Sequence, residues 1–154
     1  MANIVFNISK GRVNELYDRV KNNDPANSAI LLIPIETAGL ETDAVLIDAD
    51  TLAAFLSGTT NEQATMGRKT LTDAQLVAIP APDDTANTNS RSLPTTLWAA
   101  AAGNAISKIL VCYDSDTTAG TDANIIPMTM FDAVMTPSGI DFELTAGVFF
   151  TAGS

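Results

Sequence analysis

The spacing of apolar positions changes along the chain, and each change predicts an element. Val13, Leu16, Tyr17 and Val20 recur at i, i+3, i+4 and i+7, one face of an α-helix. Ser9 stands ahead of that stripe as the expected cap. Arg12 with Glu15, Glu15 with Arg19, and Asp18 with Lys21 are spaced to pair on its wet side. Asn22-Asn23-Asp24-Pro25 ends it. Residues 3 to 8 alternate loosely and predict a short edge strand. Ala29 to Ile35 is continuously apolar, as in a strand buried on both faces, with Pro34 pushing its end toward an edge or a bulge. Ala44 to Ile47 reads as a further strand. Leu52, Phe55 and Leu56 read as the stripe of a short helix capped by Asp48 or Asp50 and closed by Gly58.

The second half is patterned for strands. Arg68 to Leu71 predicts one, followed by a single turn with capping-box spacing at Thr72 and Gln75. Pro80 to Ser90 consists almost wholly of turn and loop residues and predicts an exposed loop, a candidate contact arm. Leu97 to Ala102 leans to strand. Ile106 to Tyr113 predicts the central strand, with Ile109, Val111 and Tyr113 on one side and Leu110 and Cys112 on the other. Ile125 to Met135 is extended, Thr136 to Gly139 turns, and Ile140, Phe142 and Leu144 alternate with polar residues before Val148 to Thr151. The C-terminal third therefore predicts an antiparallel meander. The whole predicts a single domain over 1–154, mostly β: a β-sandwich or partly open barrel of short antiparallel strands, with an N-terminal α-helix and one or two short helices.

Composition narrows the function. Of 154 residues 46% are hydrophobic and 17% charged, where about a quarter is ordinary, so Thr, Asn, Ser, Ala and Gly must cover much of the surface. Such a surface suits permanent contact with another protein. Net charge is −10, and beyond residue 21 sixteen acids stand against four bases, which repels nucleic acid. No apolar run is long enough to span a membrane, and the first residues lack the order of a signal peptide, so a cytoplasmic origin is expected. One cysteine and no histidine exclude an intrachain disulfide, the usual zinc sets and Ser-His-Asp or Cys-His machinery. No cofactor motif is present: neither a Gly-x-Gly-x-x-Gly nor a Walker pattern occurs.

What remains is Ile109 to Thr118, where a hydrophobic strand runs into Asp114-x-Asp116-x-Thr118. The run resembles the first motif of the haloacid-dehalogenase-type phosphatases. That resemblance implies a magnesium-dependent phosphatase with Asp114 as nucleophile and Asp116 as acid/base. The later lysine the family needs is missing, since no Lys or Arg follows Thr118. Asp114, Asp116 and Asp122 are also the oxygen-rich candidates for a structural cation, although Thr118, Ala119 and Ile125 break the EF-hand pattern. The plainer expectation is a strand leaving into a polar turn, with aspartates satisfying loop amides. Trp98, Phe149 and Phe150 are the candidate core or interface anchors.

Three segments carry a resemblance covering nearly the whole chain. They are Lys10 to Ala29 (Lys-Gly-Arg-Val-Asn-Glu-Leu-Tyr-Asp-Arg-Val-Lys-Asn-Asn-Asp-Pro-Ala-Asn-Ser-Ala), Leu110 to Pro127, and Ala146 to Ala152; residues 59–93 are the least distinctive. Together they resemble a family of small structural proteins of tailed-bacteriophage virions. The resemblance implies a non-enzymatic head decoration (cement) or minor capsid protein on the capsid exterior, with the major capsid protein as partner. A homo-oligomer is implied, a trimer at local three-fold positions being one such arrangement. A tail-tube or head-tail connector protein is the alternative. No residue role carries over.

Overall fold

The computed structural model describes residues 4–153. Its centre is a five-stranded antiparallel sheet in the order β1-β7-β6-β2-β3. The strands are β1 (Ile4–Val5), β2 (Ala29–Glu36), β3 (Lys69–Leu71), β6 (Ile106–Asp114) and β7 (Ile126–Met135). β2 and β6, the most apolar segments, lie side by side in the middle, paired from Ala29↔Asp114 to Glu36↔Ile106. Both faces of this pair are buried, which is why their sequences show no polar alternation. Ile109, Val111 and Tyr113 enter one core, and Leu110 and Cys112 the other, as the strand's period requires. Pro34 fits because its carbonyl, not a missing N–H, is used, accepting from Gln63 N at 2.8 Å. The register shift follows directly, between Ile35 and Glu36.

Helix α1 (Val13–Lys21) covers the first face with Val13, Leu16, Tyr17 and Val20, all buried. Two of its wet-side pairs form, Arg12–Glu15 at 3.3 Å and Arg19–Glu15 at 3.9 Å. The third does not: Asp18 takes the guanidinium of Arg91 at 2.5 and 2.6 Å, and Lys21 donates to the carbonyls of Asp73 and Leu76. Arg91 has a side chain only 3% exposed and also bonds Asn89 Oδ1 and Ser90 O. Stranding that buried charge by removing its partner costs about 3–5 kcal/mol, so the pair fastens α1 to the strand carrying Arg91. Ser9 does not cap the helix; it sits in a 3-10 turn (Asn7–Ser9), buried, its hydroxyl donating to Pro127 O at 2.7 Å. Residue 3 of the expected edge strand lies outside the described residues.

The second face is covered by that turn and two one-turn helices, α2 (Asp43–Leu46) and α3 (Leu52–Phe55). Phe6, Leu46, Leu52 and Phe55 form its core, Phe6 and Phe55 edge to face at 5.8 Å. Two expectations are corrected here. Ala44 to Ile47 is helix rather than strand because, with the central sheet filled, Leu46 is needed as an apolar lid. The cap of α3 is Thr51, whose hydroxyl accepts from Ala54 N at 3.1 Å, not Asp48 or Asp50.

The remaining strands correct the meander. β4 (Thr88–Leu93) pairs with β9 (Gly147–Gly153), and β5 (Thr96–Ala101) with β8 (Ile140–Leu144). β7, β8 and β9 do not follow one another in a sheet. Instead 88–101 and 140–153 form one two-stranded antiparallel ribbon, broken where Pro94-Thr95 faces Thr145-Ala146 and stitched by Ala146 N donating to Thr95 Oγ1 at 3.2 Å. The ribbon lays Leu93, Trp98, Ala101 and Phe149 on the first core beside α1. Tyr17 joins the two: its hydroxyl lies 2.9 Å from the carbonyls of both Val77 and Ser92, and burial pushes its pKa up to about 12. The molecule is thus mostly β with short antiparallel strands in open sheets and a few short helices, as its sequence predicts.

Candidate functional site

Asp114 ends β6 and is buried. Its Oδ1 accepts from Asp116 N at 3.0 Å. Asp116 in turn accepts from Thr118 N at 3.0 Å and from the Thr118 hydroxyl at 2.6 Å, and these bonds hold its carboxyl below the usual range. Gly120 N returns to Asp116 O at 2.7 Å. A Cβ on Gly120 would stand 2.7 Å from that carbonyl and 2.9 Å from Asp114 Oδ1, so the turn closes only around glycine. Thr117 fastens the loop to Asn27 O through both its amide and its hydroxyl. Each carboxylate is thus engaged in nested loop turns rather than directed together into a cleft.

Asp122 belongs to a different cluster. Arg68 grips Asp122 with two nitrogens at 2.8 and 3.1 Å and Glu62 with two at 2.7 Å. The hydrogen bonds to Arg68 hold the Asp122 carboxyl below its ordinary range, and the two carboxylates drive the guanidinium pKa up. The loop bearing Asp122 also receives Ala53 N and Leu52 N on Asp122 O and Ile125 O, so it seats the first turn of α3. Asp114, Asp116 and Asp122 therefore do not converge, and among the described residues no group of three or more His, Cys, Asp or Glu is placed to hold a metal ion. Cys112 is buried in β6, and burial pushes its thiol pKa up, the reverse of what a nucleophile needs.

Two of the anchor candidates are core residues. Trp98 donates from Nε1 to Gly67 O at 2.9 Å, lies 5.5 Å from the Phe142 ring and carries Lys69 Nζ above it at 5.7 Å. Phe149 is buried against Tyr17 at 5.9 Å. Neither ring is free for a partner, because the ribbon needs both to bury its inner side; Phe150 is half-buried at the rim of the same core. The apolar side chains that do reach solvent include Leu97, Val134, Ile140 and Val148. Sequence periodicity missed Leu97, Val134 and Val148 because inward and outward apolar residues are neighbours there, and it set Ile140 on the inward face with Phe142 and Leu144.

The expected loop is exposed over residues 79–87, while Thr88, Asn89 and Ser90 are already in β4. Asp83 and Thr88 exchange backbone bonds at 2.8 and 3.1 Å, and Asp83 Oδ1 accepts from Thr85 and Ala86. The arm is therefore a tight turn, with a shallow open hollow of about 520 Å³ between it and Ala152 and Gly153. A second hollow of about 240 Å³ lies between α2 and α3, lined by Val45, Leu46, Ala49 and Phe55 with Glu41 and Asp48. Neither brings together a nucleophile, a base and an anion-binding group. Comparison with protein-family models, with curated proteins and with solved structures finds no match.

Proposed function

We propose that this chain is a non-catalytic structural protein of a tailed-phage virion, binding the assembled head shell in many copies as a decoration or minor capsid protein. The observation that carries the reading is how the polar chemistry is spent: the reactive-looking carboxylates tie down loops, while apolar groups such as Leu97, Val134, Ile140 and Val148 are left exposed to solvent. That division fits a surface built for contact rather than turnover. The resemblance of Lys10–Ala29, Leu110–Pro127 and Ala146–Ala152 to virion proteins supplies the partner class, the major capsid protein.

On a shell held by repeated interfaces, a small protein bridging each equivalent junction acts many times over. Binding only to the assembled state raises the temperature at which the shell fails, by mass action. Electron cryomicroscopy of the intact phage particle, with the chain located in the map, tests this. Head-surface density in a fixed ratio to capsid subunits is the expected result. Density confined to the tail establishes the tail-tube or connector alternative, and no particle-associated copies ends the reading.

A further inference from the structure

The hollow between α2 and α3 sets an apolar floor against an acidic rim. Val45, Leu46, Ala49, Ala54 and Phe55 line it together with Glu41 and Asp48, around a volume of about 240 Å³. Leu46 and Phe55 are the buried side chains of that layer's core, whereas Val45 is 59% exposed. Small-molecule sites usually enclose roughly 300–1,000 Å³, so a space of this size suits one long side chain rather than a whole small molecule.

The rim is held in place. Glu41 N donates to the buried Thr60 hydroxyl at 3.1 Å, and that hydroxyl donates to Glu41 Oε2 at 3.1 Å. A Cβ on Gly58 would collide with the Glu41 carboxylate, which rests directly on that glycine. Asp48 accepts from the side-chain amide of Asn7. Each carboxylate is thus fixed by neutral donors, and among the described residues neither has a cationic partner. Lys108, the base that reaches α2, is taken by Asp43 at 3.4 Å and Asp132 at 2.9 Å, with its side chain only 12% exposed. Groups fixed beforehand lose little freedom when a ligand arrives.

Charge selects the occupant. From Asn22 to Gly67 the chain has no Lys or Arg, while Glu41, Asp43, Asp48 and Asp50 stand on or beside α2. An apolar floor under two carboxylates without a cation is complementary to a side chain with an apolar stem and a positive tip. Lysine fits this better than arginine. Its compact ammonium can donate singly to each of two carboxylates, whereas a guanidinium fork takes both oxygens of one, and here Thr60 and Asn7 each engage one oxygen already. We propose that the hollow is a docking site for a lysine side chain presented by an exposed segment of a partner protein. Its methylenes lie over Val45, Ala49 and Phe55, and its ammonium is held by Glu41 and Asp48.

Titrating the isotope-labelled full chain with the pentapeptide acetyl-Gly-Gly-Lys-Gly-Gly-amide, followed by amide chemical shifts, tests this. It needs no phage particle, so its failure leaves the virion reading standing. Expected are saturable shifts confined to residues 41–58, with a Kd of about 1–10 mM for one side chain in an open site. Glu41→Gln and Asp48→Asn should each weaken binding about threefold, as for a partly exposed ion pair. Gly58→Ala should also weaken it, by displacing the Glu41 carboxylate without a change of charge. Asp84→Asn removes the same charge from the exposed arm and should leave binding unchanged. Spectra of the free variants verify that each one folds. No saturable shift up to about 20 mM peptide overturns the proposal, as does an equal loss in Asp84→Asn, which would make the attraction a general one to acidic surface. Equal binding of the same peptide with norleucine in place of lysine would reduce the hollow to a plain apolar contact, and equal binding with arginine would remove the preference for an ammonium; either result overturns it.

Discussion

At the scale of single residues, the fold tolerates one costly backbone position and uses it openly. Ala100 sits at positive φ in β5 with its N–H satisfied by Asp141 Oδ1. Replacing it by glycine removes the clash between Cβ and the adjacent carbonyl while keeping the hydrogen bond. Ala100→Gly is expected to stabilise the fold by about 1 kcal/mol, or roughly 2–4 °C in Tm for a chain of this size. Thermal melts of both proteins at equal concentration check the direction and the size of the shift. An unchanged or lower melting temperature would mean that the alanine methyl makes compensating contacts.

At the scale of elements, one arginine joins three segments. Arg68, just before β3, grips Glu62 in the preceding loop and Asp122 in the loop that seats α3. Because the Asp122 carboxyl is held below its unfolded range, its contribution to stability is present above about pH 4 and lost as pH falls through its folded pKa. Asp122→Asn should lower the melting temperature at pH 7, and by less as the pH is brought below about 4. Melts of both proteins across that range check the sign. This junction was not legible in the chain. The helical period marked α1 and unbroken apolar runs marked β2 and β6, while strand geometry alone divides β6 between two cores. Arg68, Glu62 and Asp122 are paired by tertiary placement alone, and sequence spacing had set Asp122 with Asp114 and Asp116. The same limit hid the strand partners: alternation shows that Ile140 to Leu144 is a strand, and is silent on whether it joins β7 or β5.

At the scale of the whole molecule, two cores share one sheet. The central strands β2 and β6 belong to both, so neither layer can open fully without exposing the other's wall. Cys112 lies at that shared wall, wholly buried. Its thiol is therefore expected to be inert to an aromatic disulfide reagent at pH 8 in the folded protein and to react fully in denaturant. In native buffer, the labelling rate should follow global unfolding, slowing in step with any stabilising substitution. Rapid labelling without denaturant would show that the second layer opens by itself.

The broken ribbon also sets an order of events during synthesis. Its first strand, 88–101, leaves the ribosome well before its second, 140–153, and at roughly 5–20 residues per second the interval lasts some seconds. Until the second strand arrives, Leu93 and Trp98 lack the cover that Phe142 and Phe149 later give. The nascent chain can complete its central sheet through β7 in that time, but not its first core. A ribosome-associated holdase would find its apolar client surface there, and release would coincide with translation of β9.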